Sequence, residues 1–232
     1  MQDGQKIHPR ERLDCAIELL SGARVVADVG CDHGRLCCAL IQQNRVSRCI
    51  AIDISEPSLS KARRLIQKIG LSDRIETRLG DGLSPLAAGE ADAIAILGMG
   101  GTLMTEILGV TPPLMGAKTC VLQPMRAAED IRAWLYERNY PVLEDRVILD
   151  AGRYYQMFSI GQPQLERQAL PQGWPQDCFL LGYTAFSRRD PLTKQLAERQ
   201  LATVKRKLKT QQAEALTRQA AQLEQILTHW EK

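Results

Sequence analysis

Between residues 24 and 160, short β-rich runs alternate with segments whose apolar positions recur every three or four residues. "RVVADVG" (24–30), "CIAIDIS" (49–55), "RIETRLG" (74–80), "AIAILGMG" (93–100) and "TCVLQP" (119–124) each close in Gly, Pro or Ser, and each predicts a strand. Between the second and third runs, Leu59, Ala62, Ile66 and Ile69 share a helix face, with Pro57 in the first turn and Gly70 at the stop. Ile131, Trp134 and Leu135 mark a second amphipathic helix in "AAEDIRAWLYERN" (127–139), and "EDRVILDAGRYYQMFSIG" (144–161) reads as two closing strands. Strands that are apolar throughout, separated by helices, predict a parallel sheet buried on both faces in a Rossmann-like, doubly wound α/β arrangement. Such a sheet binds ligands beyond the carboxyl ends of its strands, where these glycine-rich turns fall.

The pattern breaks at "GQPQLERQALPQGWPQ" (161–176), which sets an expected division into a domain of residues 1–161 and a helical one of 162–232. From Asp190 onward the chain has no glycine. Leu196, Leu201, Val204, Leu208, Leu216, Leu223, Leu227 and Trp230 form a narrow apolar stripe there, which predicts one long helix or two antiparallel ones packed as a coiled coil.

Composition adds three constraints. No apolar stretch approaches the roughly 20 residues of a membrane span, and the polar start "MQDGQKIHPRER" does not read as a signal peptide, so a cytoplasmic protein without a membrane partner is expected. The seven cysteines contain no C-x-x-C pair, which predicts buried reduced thiols and no metal site. The net charge of +3 divides unevenly, −1 over residues 1–160 and +4 over 161–232. That excess fits either a polyanionic partner or an ordinary solvated helix surface.

The turn "DVGCDHG" (28–34) carries the chemistry. A dinucleotide fingerprint has glycine at its second conserved position so that a pyrophosphate can approach the backbone. Asp32 stands there instead, and its charge would repel a phosphate. The turn suits a ligand that brings a cation and hydroxyls, and S-adenosylmethionine has a sulfonium, an ammonium, a ribose diol and no phosphate. Asp28 then attracts the ammonium, while Gly30 and Gly34 let the backbone approach. Asp53, followed by Ile54, ends the second strand where a carboxylate accepts ribose hydroxyls, and Asp81–Gly82 ends the third where one accepts the adenine amine. The other reading makes these aspartates helix caps and turn formers.

The fourth strand ends in Gly98, Met99, Gly100 and Gly101. This stretch lacks the Asn- or Asp-Pro-Pro-aromatic turn used on exocyclic amines, and its bare backbone can lie against a flat base, or it can simply be a tight turn. A ring nitrogen has its own lone pair, so transfer to it can run on positioning without a general base. His33 is the histidine in the cofactor turn, with either a catalytic or a structural role. Arg126 at the end of the fifth strand is a candidate phosphate contact, and Tyr154 and Tyr155 are candidates to stack a base or to fill the core.

The stretches "RLDCAIELL", "ADVGCDHGRL", "GLSDRIETRLGDGL", "ILGMGGTLMTEIL", "LQP…IRAWLYERNY" and "DAGRYYQMFSIG" resemble the bacterial tRNA (adenine-22-N1)-methyltransferases. They cover most of residues 12–161 in the expected order, and the "DHG" turn with "GMGG" is fairly specific to that family. The resemblance implies a Rossmann-like methyltransferase domain followed by a helical coiled-coil domain. It also implies S-adenosylmethionine as donor, N1 of a D-loop adenine of tRNA as acceptor, and Asp28, Gly30, Asp32, Asp53, Asp81 and the "GMGG" edge as cofactor contacts. Met125 stands where the family carries Asn after "LQP", and "CDHGRLC" stands where its turn reads "SDHAYLP".

Three readings remain at this point: a tRNA adenine-N1 methyltransferase, a methyltransferase of the same fold acting on another RNA or a small molecule, and a catalytically silent RNA-binding module. A nicotinamide oxidoreductase is disfavoured by Asp32. A monomer is expected.

Overall fold

A computed structural model describes residues 11–230, so the first ten positions of the expected 1–161 unit and the last two of 162–232 lie outside it. The chain runs α1 (Glu11–Leu19), β1 (Val25–Val29), α2 (Arg35–Gln42), β2 (Arg48–Asp53), α3 (Glu56–Lys68), β3 (Ile75–Leu79), β4 (Ala93–Gly100) and α4 (Gly101–Gly109). A 3-10 turn (Pro113–Gly116) leads to β5 (Thr119–Arg126), α5 (Ala128–Glu137), β6 (Val142–Asp150), β7 (Arg153–Gly161), α6 (Tyr183–Ser187), α7 (Pro191–Leu208) and α8 (Glu214–Trp230).

All seven strands form one sheet in the order β3-β2-β1-β4-β5-β7-β6. The first five pair in parallel, as their apolar runs predict, and β7 inserts antiparallel between β5 and β6. The hairpin between β6 and β7 closes on Ala151 and Gly152, both at positive φ (49° and 76°), the two-residue turn whose twist matches its strands. Helix α3 has the predicted ends. The Ser55 side chain accepts a hydrogen bond from the amide of Ser58, and Gly70, at φ 71°, stops the helix.

Strand alternation explains why these runs are apolar throughout. Val26, Cys49, Ala51, Ala95 and Val121 face α1, α2 and α3, and their neighbours Ala27, Ile50, Ile52, Ile94 and Leu122 face the opposite side with α4 and α5. The second cluster continues into the carboxyl-terminal helices, and all eight apolar residues of the predicted stripe lie in it or against it. The stripe resolves into two helices, with α8 returning along α7. The Lys205–Glu224 ion pair (2.7 Å) links them, and Arg189, just before α7, donates to the carbonyl of Trp230 at the end of α8. The seven cysteines are buried and free.

The segment after β7, polar and proline-rich in sequence, is bound to the sheet. Gln168 donates to the carbonyl of Val142 (3.1 Å) and accepts from its amide (2.8 Å), occupying backbone groups on edge strand β6. Trp174, Tyr183, Phe186 and Trp230 pack edge to face, with successive centroids 5.2–6.2 Å apart. At the centre of this attachment, Arg132 of α5 donates twice to Asp145 of β6 (2.9 and 3.1 Å), and both side chains are 1% exposed. Asp145 also accepts from the Thr184 hydroxyl (3.1 Å), and Arg132 lies over the Phe158 ring at 4.5 Å.

Arg132→Met would leave the Asp145 carboxylate buried without its cation. A loss of about 3–5 kcal/mol is expected in urea unfolding, against at most about 1 kcal/mol for Arg138→Met at the exposed end of the same helix.

Candidate functional site

A pocket of about 300 Å³ opens at the carboxyl ends of β1, β4 and β5, and its wall includes Asp28, Gly30, Asp32, His33, Gly98 and Gln123. The floor turn is shaped by Gly30 (φ 72°), Asp32 (φ 48°) and Gly34 (φ 67°), three left-handed positions of which aspartate tolerates the middle one. Four of that turn's amides are occupied. Gly30 and Cys31 both donate to the carbonyl of Ile52 (2.8 and 3.0 Å), Asp32 donates to Asp53 Oδ2 (3.0 Å), and Gly34 donates to the carbonyl of Cys31 (2.8 Å). In a nest of this kind a phosphate would normally take such donors. Here the protein's own Asp53 carboxylate takes one of them, which argues independently of Asp32 against a dinucleotide.

Asp53 is held from both sides, since its Oδ1 accepts from the amide of Ser55 (2.8 Å). Its remaining lone pairs stay fixed at the rim, the arrangement that can receive a vicinal diol. Ile54 beside it is 69% exposed, an apolar surface at the same rim. Asp81 and Gly82 sit in the turn after β3, tied to β2 by a hydrogen bond from Gly80 to the carbonyl of Asp53 (3.1 Å). Asp81 is exposed.

Asp28 is the electrostatic centre. It is 4% exposed, its only side-chain donor among the described residues is the Cys37 thiol at 3.7 Å, and burial followed by the nearby Asp53 charge pushes its carboxyl up to about 7. A buried carboxylate with one weak donor is an incomplete site, and an arriving cation would complete it. Arg35, exposed in the first turn of α2 on the same wall, has no ion-pair partner among the described residues. His33 Nδ1 contacts the Asp32 carboxylate, and the ring is 39% exposed.

The glycines divide by role. A side chain at Gly34 would meet Ala62 of α3 at 3.2 Å, so the space there serves helix packing, where the sequence suggests a ligand's approach. One at Gly101 would strike the carbonyl of Ala127 at 2.3 Å, one at Gly100 would touch Arg126, and one at Gly30 would strike the Met99 side chain. Of "GMGG", Gly98 (φ 76°) alone has open space where a side chain would be. The expected bare edge therefore narrows to Gly98, and Gly100 and Gly101 admit the neighbouring turn.

Arg126, Tyr154 and Tyr155 lie elsewhere. They line a larger cleft of about 650 Å³ between the ends of β5 and β7 and helices α7 and α8. Arg153, Arg199 and Lys207 join Arg126 there against the single carboxylate of Glu129, so its field is positive. Arg199 lies over the Tyr154 ring at 5.5 Å, and Tyr154 donates to Gln195 (3.1 Å). Sequence reading missed Arg12, Arg35, Arg153, Arg199 and Lys207. Arg35 lies within the turn already singled out, and the α7 cations fall in the basic tail. Nothing local marks Arg12, which joins the site only through contacts more than a hundred residues away.

A family model described as a methyltransferase domain matches residues 10–158. The tRNA (adenine(22)-N(1))-methyltransferase of Bacillus subtilis (strain 168) is 36% identical over 148 residues, 63% of this chain and 62% of that protein, so the match spans less than two thirds of the relative. The crystal structure of the B. subtilis m1A22 tRNA methyltransferase superposes with a TM-score of 0.77 at 26% identity, covering 97% of each chain. A Streptococcus pneumoniae protein, Sp1610, whose structure holds S-adenosyl-L-methionine, superposes at 0.83 with 22% identity, covering 95% of this chain and 100% of that one.

A carboxyl held near 7 in the fold and near 3.8 in the open chain favours the fold fully below pH 3.8, and that contribution is lost progressively as pH rises from there to about 7. Asp28→Asn is expected to raise the melting temperature of the ligand-free protein most at pH 8, by less at pH 5 and hardly at all below pH 4, measured by calorimetry at the three values.

Proposed function

The chain belongs to the methyltransferase-domain family, and from that premise we propose that it transfers a methyl group from S-adenosylmethionine to N1 of adenine 22 in the D-loop of tRNA, acting as a cytoplasmic monomer. The observation that carries this reading is the adjacency of two unlike cavities. A small pocket built around a buried carboxylate adjoins a larger cleft lined by tyrosines and cations. The names of the B. subtilis relative and structure support the acceptor, and the Sp1610 complex supports the donor.

The residues of the small pocket fit the donor. Asp28 completes its incomplete site by taking the ammonium, and Arg35 supplies the opposite charge for the carboxylate of the same amino-acid moiety. Asp53 receives the ribose hydroxyls, Ile54 covers the adenine, Asp81 accepts its amine, and the open backbone at Gly98 gives the reacting end room. Bound there, S-adenosylmethionine offers an electrophilic methyl on its sulfonium, which passes to the lone pair of the adenine ring nitrogen as the carbon–sulfur bond breaks.

The protein's task is then to present that lone pair in line and to keep water out. Tyr154 and Tyr155 stack the extruded base, and Arg126 holds a neighbouring phosphate. The unit expected over residues 162–232 grips the tRNA through Arg199, Lys207 and the adjacent basic residues at the end of α7. No residue need act as a base, because N1 carries no proton to remove. His33 holds the turn through Asp32 and is placed beside the reacting end.

With labelled donor and total tRNA, label is expected to enter tRNA, and primer extension is expected to stop at adenine 22 only when enzyme and donor are both present. Methylation of another RNA or a small molecule with tRNA untouched overturns the acceptor. Donor affinity is expected to fall as pH drops below about 7, because Asp28 must be charged to receive the ammonium, and this dependence should vanish in Asp28→Asn. Titration calorimetry across pH 5.5–8.5 measures it.

A further inference from the structure

Arg12 is a side chain that joins the walls of both cavities and takes no part in either role assigned above. Arg12, on the first turn of α1, lines the small pocket. Its guanidinium lies 4.3 Å from the centroid of Tyr155, a residue of the larger cleft, and its Nε donates to Asp150 at 2.9 Å. Its Nη1 lies 4.0 Å from the Met125 sulfur, also on the cleft wall. Asp150, at the end of β6, lines neither cavity.

The contacts are directional. An arginine free to move would leave the tyrosine ring free as well. Here the carboxylate takes one edge of the planar guanidinium while its face meets the ring, so the orientation of the ring is transmitted from a residue outside the site. Both Arg12 and Asp150 are partly shielded from water (28% and 15% exposed), which strengthens the pairing relative to a surface ion pair.

We infer that Arg12, oriented by Asp150, is a positioning residue that fixes Tyr155 at the passage between the two cavities, so that the acceptor base is stacked in line with the methyl group. The inference rests on the proposed tRNA reading and deepens it. Alignment governs the rate of such a transfer, because an error of about 1 Å costs on the order of a hundredfold. The effect should therefore fall on kcat, with donor affinity kept wherever the substitution spares the small pocket.

Asp150→Asn is the clean probe, since it loosens Arg12 without substituting a residue of either cavity wall. The expected result is a 10- to 100-fold fall in kcat on tRNA, with donor Kd and melting temperature close to those of the wild type. Arg12→Lys, which keeps the charge and loses the planar stack, should show a similar fall. In a Tyr155→Ala background, Asp150→Asn should cost nothing further. 2-Aminopurine at position 22 of the tRNA should be brighter in the Asp150→Asn complex than in the wild type, reporting a looser stack. If Asp150→Asn and Arg12→Lys keep kcat within twofold while Tyr155→Ala loses it, or if Asp150→Asn lowers kcat equally with and without the Tyr155 ring, the inference is overturned and the function stands. If the wild type leaves tRNA unmethylated, the functional reading itself fails.

Discussion

Strands β1 and β4 lie side by side in the sheet, yet the helices that follow them leave to opposite faces. Helix α2 packs with α1 and α3, and α4 packs with α5 on the face whose apolar cluster continues into the carboxyl-terminal helices. No single helix can then cover the ends of both strands, and a crevice opens between them. Every feature of the small pocket depends on that divergence. Asp28 sits at the end of β1 and Gly98 at the end of β4, and the turn between β1 and α2 forms the floor. A continuous strand order would have closed the crevice.

The crevice carries a deliberate imbalance. Most buried polar groups in the fold are satisfied, as the Arg132–Asp145–Thr184 cluster shows. Asp28 is not, with a thiol as its one side-chain donor among the described residues and Asp53 nearby to oppose its charge. In contrast, the amides of Gly30, Cys31, Asp32 and Gly34 in the turn are taken by Ile52, Asp53 and Cys31. The turn therefore has few amides left for a phosphate and an open carboxylate for a cation, a difference set by which hydrogen bonds are already made.

The larger cleft depends on a different attachment. Its far wall comes from α7 and α8, and its near wall from β5 and β7, so its shape exists only while the tail is held to the sheet. Arg132 and Asp145 hold it from within, the Trp174, Tyr183, Phe186 and Trp230 rings seal it, and Gln168 ties the connecting segment to the edge strand. One apolar cluster consequently runs from the sheet into the tail. The cleft's tyrosines and cations are thus placed by the same contacts that stabilise the molecule.

Strands, helices, the parallel sheet and the acidic turn were legible in the sequence, because each depends on neighbours within a few residues. Hydrophobic period, proline and glycine punctuation, and an aspartate in a glycine's position are local properties. They were enough to imply the fold, a phosphate-free cofactor and, with the quoted stretches, the family. The use of each glycine was not legible. Gly34 and Gly101 look like Gly98 in sequence, yet two of them accommodate a neighbouring helix or turn and the third opens onto the pocket. Nor could local pattern join Arg12 to Asp150 and Tyr155, or turn a proline-rich break into a packed strap around Trp174. Those facts depend on what a residue meets after the sheet has formed and the tail has folded back over it, and contacts across more than a hundred residues leave no local pattern in the chain.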